Sequence, residues 1–365
     1  MAKTKKSSPV KKIFLALCAV LLIAVLVAGS YFAYVFLAYY RIDDNIKLDI
    51  EAGSSSGAPQ TGSEYKLLSF NIGFGAYEKD FGFFMDGGTQ SRAWSEERLK
   101  ANIAKISDFL LEQNADFIYL QEVDIKGTRT YDYDERKAIC GKLTGYSAVW
   151  AQNYDSPYLF YPFSSPIGAN TSGIITLSRF TPASSVRRSL PVESGVRKLL
   201  DLDRCYSVTR FELENGKELV LVNLHLSAYT ADGKISDDQA DMIINEMSAE
   251  YRKGNYVICG GDFNKNLLAP DADPFKASES EYTWAILFPV EKLKDTGLAL
   301  AAPLNEDAPV PSCRNADGPY TPEQFVITID GFMVSANVSV KSSTVVDTGF
   351  EYSDHNPVLL TFELD

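Results

Sequence analysis

The sequence predicts a layered α/β sandwich that follows one N-terminal transmembrane helix. Three observations favour this fold class over a doubly wound parallel sheet. Some apolar strands are joined by hairpin turns, amphipathic helices lie between other strands, and no second linker or internal repeat interrupts residues 64–365. Because hairpins pair strands antiparallel and intervening helices allow parallel neighbours, we expect mixed sheets in one large domain.

The first element is an apolar run at the N-terminus. Residues 13–40 contain no charged side chain, and about 20 apolar helical residues suffice to cross a bilayer core. Residues 1–12 carry five lysines, whereas Asp43 and Asp44 follow the run. This asymmetry predicts a single-pass helix in the cell membrane, with a cytoplasmic N-terminus and an extracytoplasmic body. A cleaved signal peptide is the alternative, although the apolar region of such peptides spans only about 7–15 residues.

The next segment, residues 41–63, is predicted to be a flexible linker because it contains the Gly-, Ser- and Pro-rich stretch AGSSSGAPQTGSE. The body follows over residues 64–365. Beyond the N-terminal lysines the chain has 30 basic and 48 acidic residues, a net charge of −18. Such an acidic body lacks a broad electrostatic surface for a phosphate backbone, so nucleic acid is a less favoured partner. No CxxC pair is present, which argues against a thiolate zinc site.

Strands and amphipathic helices alternate through the body. YKLLSF and DFIYLQE predict buried strands, and between them residues 95–114 repeat apolar side chains at helical spacing, with acids in the first turn. Asn215-Gly216 predicts a hairpin turn between two further strands. In the helix predicted over residues 236–253, Ser236 and Gln239 have the spacing of a capping box. That helix leads into the strand YVICGGD.

Several of these strands end in, or are preceded by, a side chain suited to metal binding or acid–base chemistry. Taken singly, each is also explained as a turn residue or a satisfied core group. Both histidines of the chain belong to the set, and strand ends of α/β folds feed a common rim, so we expect one site. The candidates are Asn71, Glu122, His225, Asp262, Asn264, Asp330, Asp354 and His355.

These residue types suit hydrolysis at phosphorus. Mg²⁺ binds carboxylate oxygens and keeps several waters, so few protein ligands are needed, and Glu122 with Asn71 beside it are the first candidates. The attacking water must lose a proton. Asp262 and Asn264 suit that task because a spacing of two residues would aim both side chains to one face of an extended stretch.

The imidazoles of His225 and His355 can donate hydrogen bonds to phosphate oxygens. A buried carboxylate should orient and charge one of them, and Asp330 is the candidate partner of His355. Any imidazole step must use one of these two residues, because the chain has no other histidine.

Six motifs, in chain order LLSFNIGFG, YLQEVD, NLHLS, GGDFN, TIDGFMVS and SDHNPV, resemble those of the endonuclease/exonuclease/phosphatase (deoxyribonuclease-like) superfamily. The resemblance covers residues 65–365 and implies a four-layer α/β/β/α sandwich, two mixed sheets flanked by helices. It also implies Mg²⁺ as the cofactor, with Mn²⁺ as a substitute.

The resemblance assigns roles residue by residue. It implies metal binding by Asn71, Glu122 and Asp354, and catalytic roles for His225, Asp262, Asn264, Asp330 and His355. Asn170 and Arg204 are candidates for substrate binding, with a surface ion pair as the alternative for Arg204.

The predicted function is therefore that of a membrane-anchored, Mg²⁺-dependent phosphoesterase that acts outside the cytoplasm on a lipid or small phosphoester. Two alternatives stay open. One is an extracytoplasmic nuclease of the same fold. The other is a catalytically inactive binding module, which would normally have lost a member of the site, whereas every member is present here.

Overall fold

The N-terminal unit, residues 1–40, contains one long helix, α1 (Pro9–Ala38). This helix is long and apolar enough to cross a membrane, and a signal sequence would satisfy the same criterion. The computed structural model describes residues 8–193, 203–228, 234–279, 286–305 and 307–365, so Lys3, Lys5 and Lys6 lie outside the described residues.

The body, residues 41–365, is the second unit of the chain. Its helices are α2 (Glu96–Gln113), α3 (Glu135–Lys142) and α4 (Lys234–Arg252). Its strands are β1 (Ile46–Lys47), β2 (Ile50–Glu51), β3 (Glu64–Asn71), β4 (Phe117–Gly127), β5 (Ser147–Asp155), β6 (Asn170–Ser178), β7 (Ser184–Ser189), β8 (Cys205–Glu212), β9 (Glu218–His225), β10 (Tyr256–Asp262), β11 (Leu298–Ala301), β12 (Cys313–Arg314), β13 (Val326–Ile327), β14 (Asp330–Ser335), β15 (Val338–Val345) and β16 (Val358–Leu364).

Two seven-stranded mixed sheets form the centre of the body. The first has the order β1-β7-β8-β9-β10-β14-β11 and the second β15-β16-β3-β4-β6-β5-β2, while β12 and β13 pair separately. Strands β3 and β4 are parallel, as are β9 and β10, whereas hairpin neighbours such as β8 and β9 are antiparallel. The mixed sheets predicted from the sequence are confirmed.

The apolar side chains divide into three layers of core. Leu67, Phe117 and Phe332 belong to the cluster between the two sheets. On the outer face of the second sheet, α2 packs through residues such as Ile103, and on the outer face of the first sheet α4 packs through residues such as Met247. The order helix, sheet, sheet, helix is the predicted four-layer α/β/β/α sandwich.

The two long helices of the body differ in how well the sequence predicts their starts. Ser95 caps α2 by accepting a hydrogen bond from the backbone N–H of Arg98, and the acids predicted for the first turn are Glu96 and Glu97. The capping box predicted at Ser236 and Gln239 is wrong, because α4 already includes Lys234 and Ser236 is buried within the helix. The Gln239 side chain instead bonds both the backbone N–H and the hydroxyl of Ser227.

The segment predicted as a linker, residues 41–63, contributes to the sheets. Strand β1 pairs with the edge strand β7 and β2 pairs with β5. The buried side chains of Ile42 and Leu48 explain this, since they bring apolar surface to a stretch that composition alone marks as flexible. Residues 41–51 are therefore part of the body.

Candidate active site

Polar side chains meet at one end of the two sheets, which we call the site end. Parallel pairing places Asp262, the last residue of β10, directly opposite His225, the last residue of β9. Antiparallel pairing places Asp262 opposite Asp330, the first residue of β14. The neighbouring strands β9, β10 and β14 thus place one imidazole and two carboxylates side by side.

Asp330 and His355 form a buried charged pair. The Nδ1 atom of His355 lies 2.7 Å from Oδ2 of Asp330, which also accepts a 2.8 Å hydrogen bond from the Ser312 hydroxyl. Burial disfavours the imidazolium, but the adjacent Asp330 carboxylate outweighs it, so the pKa of His355 lies well above its usual value. His355 is therefore a cation near neutral pH.

His225, unlike His355, is neutral. Its Nε2 atom lies 3.4 Å from Oδ2 of Asp262 and 4.0 Å from Oε1 of Glu122. Burial, together with the positive charges of Arg204 and His355, holds the pKa of His225 well below its usual value. The Nε2 atom of His355 lies 3.8 Å from the same Asp262 oxygen. Asp262 therefore lies between a neutral His225 and a charged His355.

Asp262 occupies the centre of the site. It is 1% exposed, and its Oδ2 accepts a 3.0 Å hydrogen bond from the amide of Asn71. Burial and the charge of Asp330 raise the pKa of Asp262 to about 7, although His355 partly offsets this. A carboxylate with a pKa near neutrality is suited to accept a proton from water.

Asn71 and Glu122 come from the second sheet and complete the contact between sheets. The Asn71 amide donates to Asp262 and also approaches Oε1 of Glu122 at 3.4 Å, while its Oδ1 accepts from the N–H of Gly73. Glu122 has φ 55° and lies where the pairing of β4 with β6 slips between Leu120 and Val123. This bulge re-aims the Glu122 side chain toward the site end.

Asn264 departs from the predicted geometry. Strand β10 ends at Asp262, and Asn264 has φ 49°, so the two side chains do not share one face of an extended stretch. The reason is local: the Asn264 N–H donates to Oδ1 of Asp262, a turn that asparagine tolerates in the left-handed region. The Asn264 amide then donates to the carbonyl of Leu226, just past His225.

The carboxylates of Glu122 and Asp354 fit a divalent cation. Desolvation and the negative charges of Glu122 and Asp86 raise the pKa of Asp354 to about 6, although His355 and Arg314 act in the opposite direction. Negative charge therefore accumulates where a hard cation would be stabilised by oxygen ligands. Glu122 keeps 30% of its side chain exposed, so it is accessible from solvent.

A second acidic group lies deeper. One ligand atom from each of Asp262, Asp330 and His355 falls within 4.8 Å of the others. Oδ2 of Asp330 already accepts bonds from Ser312 and His355, whereas its Oδ1 has no hydrogen-bond partner. Asn71 links the two groups, because its amide donates to Asp262 and approaches Glu122.

The two predicted substrate-binding residues have different surroundings. Arg204 is only 8% exposed and its charge acts on His225, which argues against the surface ion pair considered for it. Asn170 begins β6, and its amide is engaged by two backbone groups, accepting from the N–H of Arg129 and donating to the carbonyl of Ile167. That arrangement braces two loops, and a direct contact of Asn170 with substrate stays a prediction.

Several residues that support the site were not singled out from the sequence. Ser312 donates to Asp330 and accepts from the N–H groups of Ile329 and Asp330, and the thiol of Cys313 lies 3.6 Å from Nε2 of His355. Ser312 lies in the stretch PVPSCRN, which carries no strand pattern. The preceding prolines are the only local signal, and they point to a turn.

A buried ion pair supports the bulge that carries Glu122. Arg129 donates to both oxygens of Asp124 at 2.8 and 2.7 Å, and its guanidinium lies 3.8 Å from the centroid of the Phe74 ring. The N–H of Asp124 donates to Glu135, which has no exposed surface. Burial and the charge of Asp124 raise the pKa of Glu135 well above its usual value, which favours the protonated acid.

Comparison with solved structures supports the fold. The endonuclease/exonuclease/phosphatase from Beutenbergia cavernae is 16% identical, with 82% of this chain and 72% of that chain covered and a TM-score of 0.57. The human Nocturnin catalytic domain with bound sulfate is 17% identical, with 87% and 98% covered and a TM-score of 0.51. ANGEL2, a 2′,3′-cyclic phosphatase solved with adenosine-2′,3′-vanadate, is 16% identical, with 87% and 99% covered and a TM-score of 0.54.

No curated protein matches the chain at a significant level. The sequence profile of the Endonuclease/Exonuclease/phosphatase family, however, matches residues 68–355, a span that begins in β3 and ends at His355. Members of this family are generally hydrolases of phosphoester bonds and typically depend on a divalent metal. The matched span contains every residue of the site described above, and the chain belongs to the endonuclease/exonuclease/phosphatase family.

Proposed function

We propose that this protein is a membrane-anchored phosphoesterase that uses Mg²⁺, or Mn²⁺ in its place, to hydrolyse phosphodiester or phosphomonoester bonds outside the cytoplasm. The observation that carries the proposal is the placement of Asp262 between a neutral and a charged imidazole, with Glu122 and Asp354 beside them. A base, a cation and an anionic metal centre are the groups that hydrolysis at phosphorus requires.

Each side chain has a chemical task in this proposal. Asp262 accepts the proton of the attacking water, and Asn264 keeps the Asp262 carboxylate in place through its N–H. The imidazolium of His355 stabilises charge on a phosphate oxygen, while Asp330 maintains its protonation. His225 donates a neutral hydrogen bond from the other side. Glu122, Asp354 and the Oδ1 atom of Asn71, which also accepts from Gly73, would hold a divalent cation, and that cation would supply positive charge against the phosphoryl group.

The buried Arg204 supports a substrate with anionic oxygens near His225. The net charge of −18 beyond the N-terminal lysines disfavours a long polyanion, so a lipid or small phosphoester is favoured over a nucleic acid. The charge asymmetry around α1 and its length support an anchor with a cytoplasmic N-terminus.

The test is a substrate panel given to the full-length chain in detergent micelles: an aryl phosphodiester, an aryl phosphomonoester, phospholipids, and single- and double-stranded nucleic acids. We expect hydrolysis with Mg²⁺, loss with a chelator, and recovery when Mg²⁺ or Mn²⁺ is added back. A higher specificity constant for nucleic acid than for lipid would make the protein a nuclease. Folded protein without turnover of any substrate would identify the inactive binding module.

A further inference from the structure

The chain enters the body at the site end. Strand β1 is antiparallel to β7, so the residues before β1 run past the C-terminal end of β7. There the Arg41 side chain donates to the carbonyl of Leu190 at 2.6 Å and to the carboxylate of Asp203 at 3.2 Å. Asp203 precedes Arg204, whose charge acts on His225. The first residue of the body therefore lies on the rim that surrounds the site.

The same rim carries an exposed apolar patch. We define the apolar patch as four exposed side chains: Met85 (67% exposed), Phe160 (49%), Tyr161 (62%) and Phe163 (85%). Two loops supply them: one follows Phe83, and the other connects the C-terminal end of β5 to the start of β6. Exposed apolar side chains that cluster in this way mark interaction surfaces.

The two loops are joined to each other and border the site. The ring of Phe84 lies 5.6 Å from that of Tyr161, and the Ser91 hydroxyl donates to the carbonyl of Ser165. Asp86, next to Met85, is close enough to act electrostatically on Asp354. The β5–β6 loop lies at the site end because Asp155 pairs with Thr171 beside the Asn170–Gly127 pair.

The covalent connection between α1 and the body is short. Only Tyr39 and Tyr40 separate Ala38, the last residue of α1, from Arg41. Three peptide steps bridge at most about 10–11 Å. Aromatic side chains favour the interfacial region of a bilayer.

We infer that the site end faces the bilayer, that the apolar patch inserts into its interfacial region, and that the substrate is the phosphate ester of a phospholipid in that membrane. This inference rests on the proposed function. The body is strongly acidic, so the contact is apolar and requires no anionic lipid. The patch positions the cleft over the headgroups, and the patch residues take no part in the chemical step.

The first test measures insertion without reference to activity. Full-length Phe163→Trp is reconstituted in phosphatidylcholine vesicles that contain acyl-chain-brominated lipid, and its tryptophan fluorescence is compared with that of the unsubstituted chain. The matched control is Leu111→Trp, because Leu111 is 40% exposed in the last turn of α2, at the opposite end of the sheets. We expect bromine to quench the tryptophan introduced by Phe163→Trp and not the one introduced by Leu111→Trp. Equal quenching of both, or of neither, overturns the inference.

The second test compares two substrates. In the Phe160→Ser/Phe163→Ser variant, the ratio of phospholipid to soluble aryl phosphodiester turnover should fall by about tenfold or more, because apolar surface no longer enters the bilayer. Leu111→Ser should leave that ratio unchanged. An unchanged ratio in the double variant overturns the inference while soluble turnover still supports the proposed function. Bromine quenching in Phe163→Trp without turnover of either substrate refutes the proposed function and supports the membrane contact.

Discussion

At the scale of single residues, the two histidines of the site differ in charge because their surroundings differ. His355 is held charged by Asp330, whereas His225 is held neutral by burial and by nearby positive charges. The pairing of Asp330 with His355 follows from the resemblance of two short motifs. The neutrality of His225 could not be predicted, because it depends on burial and on Arg204, which is distant in sequence.

The charged state of His355 gives a pH prediction. The proposed function uses the imidazolium form of His355, so activity should decline as the pH rises through the raised pKa of His355. Asp330→Asn removes the charge that stabilises the imidazolium, so this decline should move to lower pH by about 1–3 units. The measurement is kcat/KM against pH, with the exposed Asp307→Asn as the control. Superimposable profiles for Asp330→Asn and the unsubstituted chain would contradict the pairing.

The carboxylate of Glu122 gives a metal prediction. Glu122→Gln keeps the shape of the side chain but removes a charge from the proposed Mg²⁺ centre, so activity should be nearly abolished while the melting temperature changes little. Titration with Mg²⁺ should require higher concentrations for any residual rate. Glu112→Gln, exposed on α2, is the matched control. Full activity of Glu122→Gln in the presence of a chelator would refute the metal role.

At the scale of elements, the bulge in β4 depends on a loop that the sequence did not single out. The motif YLQEVD locates Glu122, but the positive φ of Glu122 and the pairing slip beside it come from tertiary contacts. Arg129 follows β4 in a short 3-10 turn without apolar periodicity, so its burial against Phe74 is invisible to pattern analysis. By contrast, α2 and the Asn215-Gly216 hairpin were predictable because the helical spacing of apolar residues and the residue types of a turn are local signals.

The Asp124–Arg129 pair gives a stability prediction. Arg129→Met leaves Asp124 charged and buried without its partner, which should cost about 3–5 kcal/mol of the free energy of unfolding. Glu135→Gln should cost less than about 1 kcal/mol, because glutamine resembles the protonated acid that the fold already holds. Urea unfolding of both variants is the measurement. Equal losses in the two variants would contradict the assigned charge states.

Glu135 also gives the stability of the body a pH dependence. A carboxyl group whose pKa is higher in the folded than in the unfolded state adds stability below its unfolded pKa and loses that contribution as pH rises. The unsubstituted chain should therefore lose stability as the pH rises above the unfolded pKa of glutamate, about 4.3, whereas Glu135→Gln should retain it. Parallel curves for the two proteins above that pH would show that Glu135 does not titrate in this way.

At the scale of the whole molecule, the sequence predicts the four layers because strand and helix patterns are strong and recur through the body. Residues 41–51 were missed because strands of two residues carry no periodicity, and only pairing with β7 and β5 defines them. The lateral order of strands within each sheet also lies beyond pattern analysis, since it depends on contacts between distant segments.

The length of α1 gives a prediction for the mature chain. A helix of 30 residues is about 45 Å long, which exceeds a hydrocarbon core of about 30 Å. We expect the protein to stay in the membrane fraction after alkaline carbonate washing, with its N-terminal peptide detected by mass spectrometry. A soluble mature chain that begins after Ala38 would instead identify α1 as a signal sequence.

The position of β16 determines when the enzyme becomes complete during synthesis. This last strand lies between β15 and β3, the first long strand of the body, and antiparallel pairing joins Val358 to Ser69. During synthesis, the place of β16 beside β3 therefore stays vacant until the chain is nearly finished. His355 lies three residues before β16, so the site is complete only when the final strand pairs, and a chain that lacks this strand also lacks a complete site.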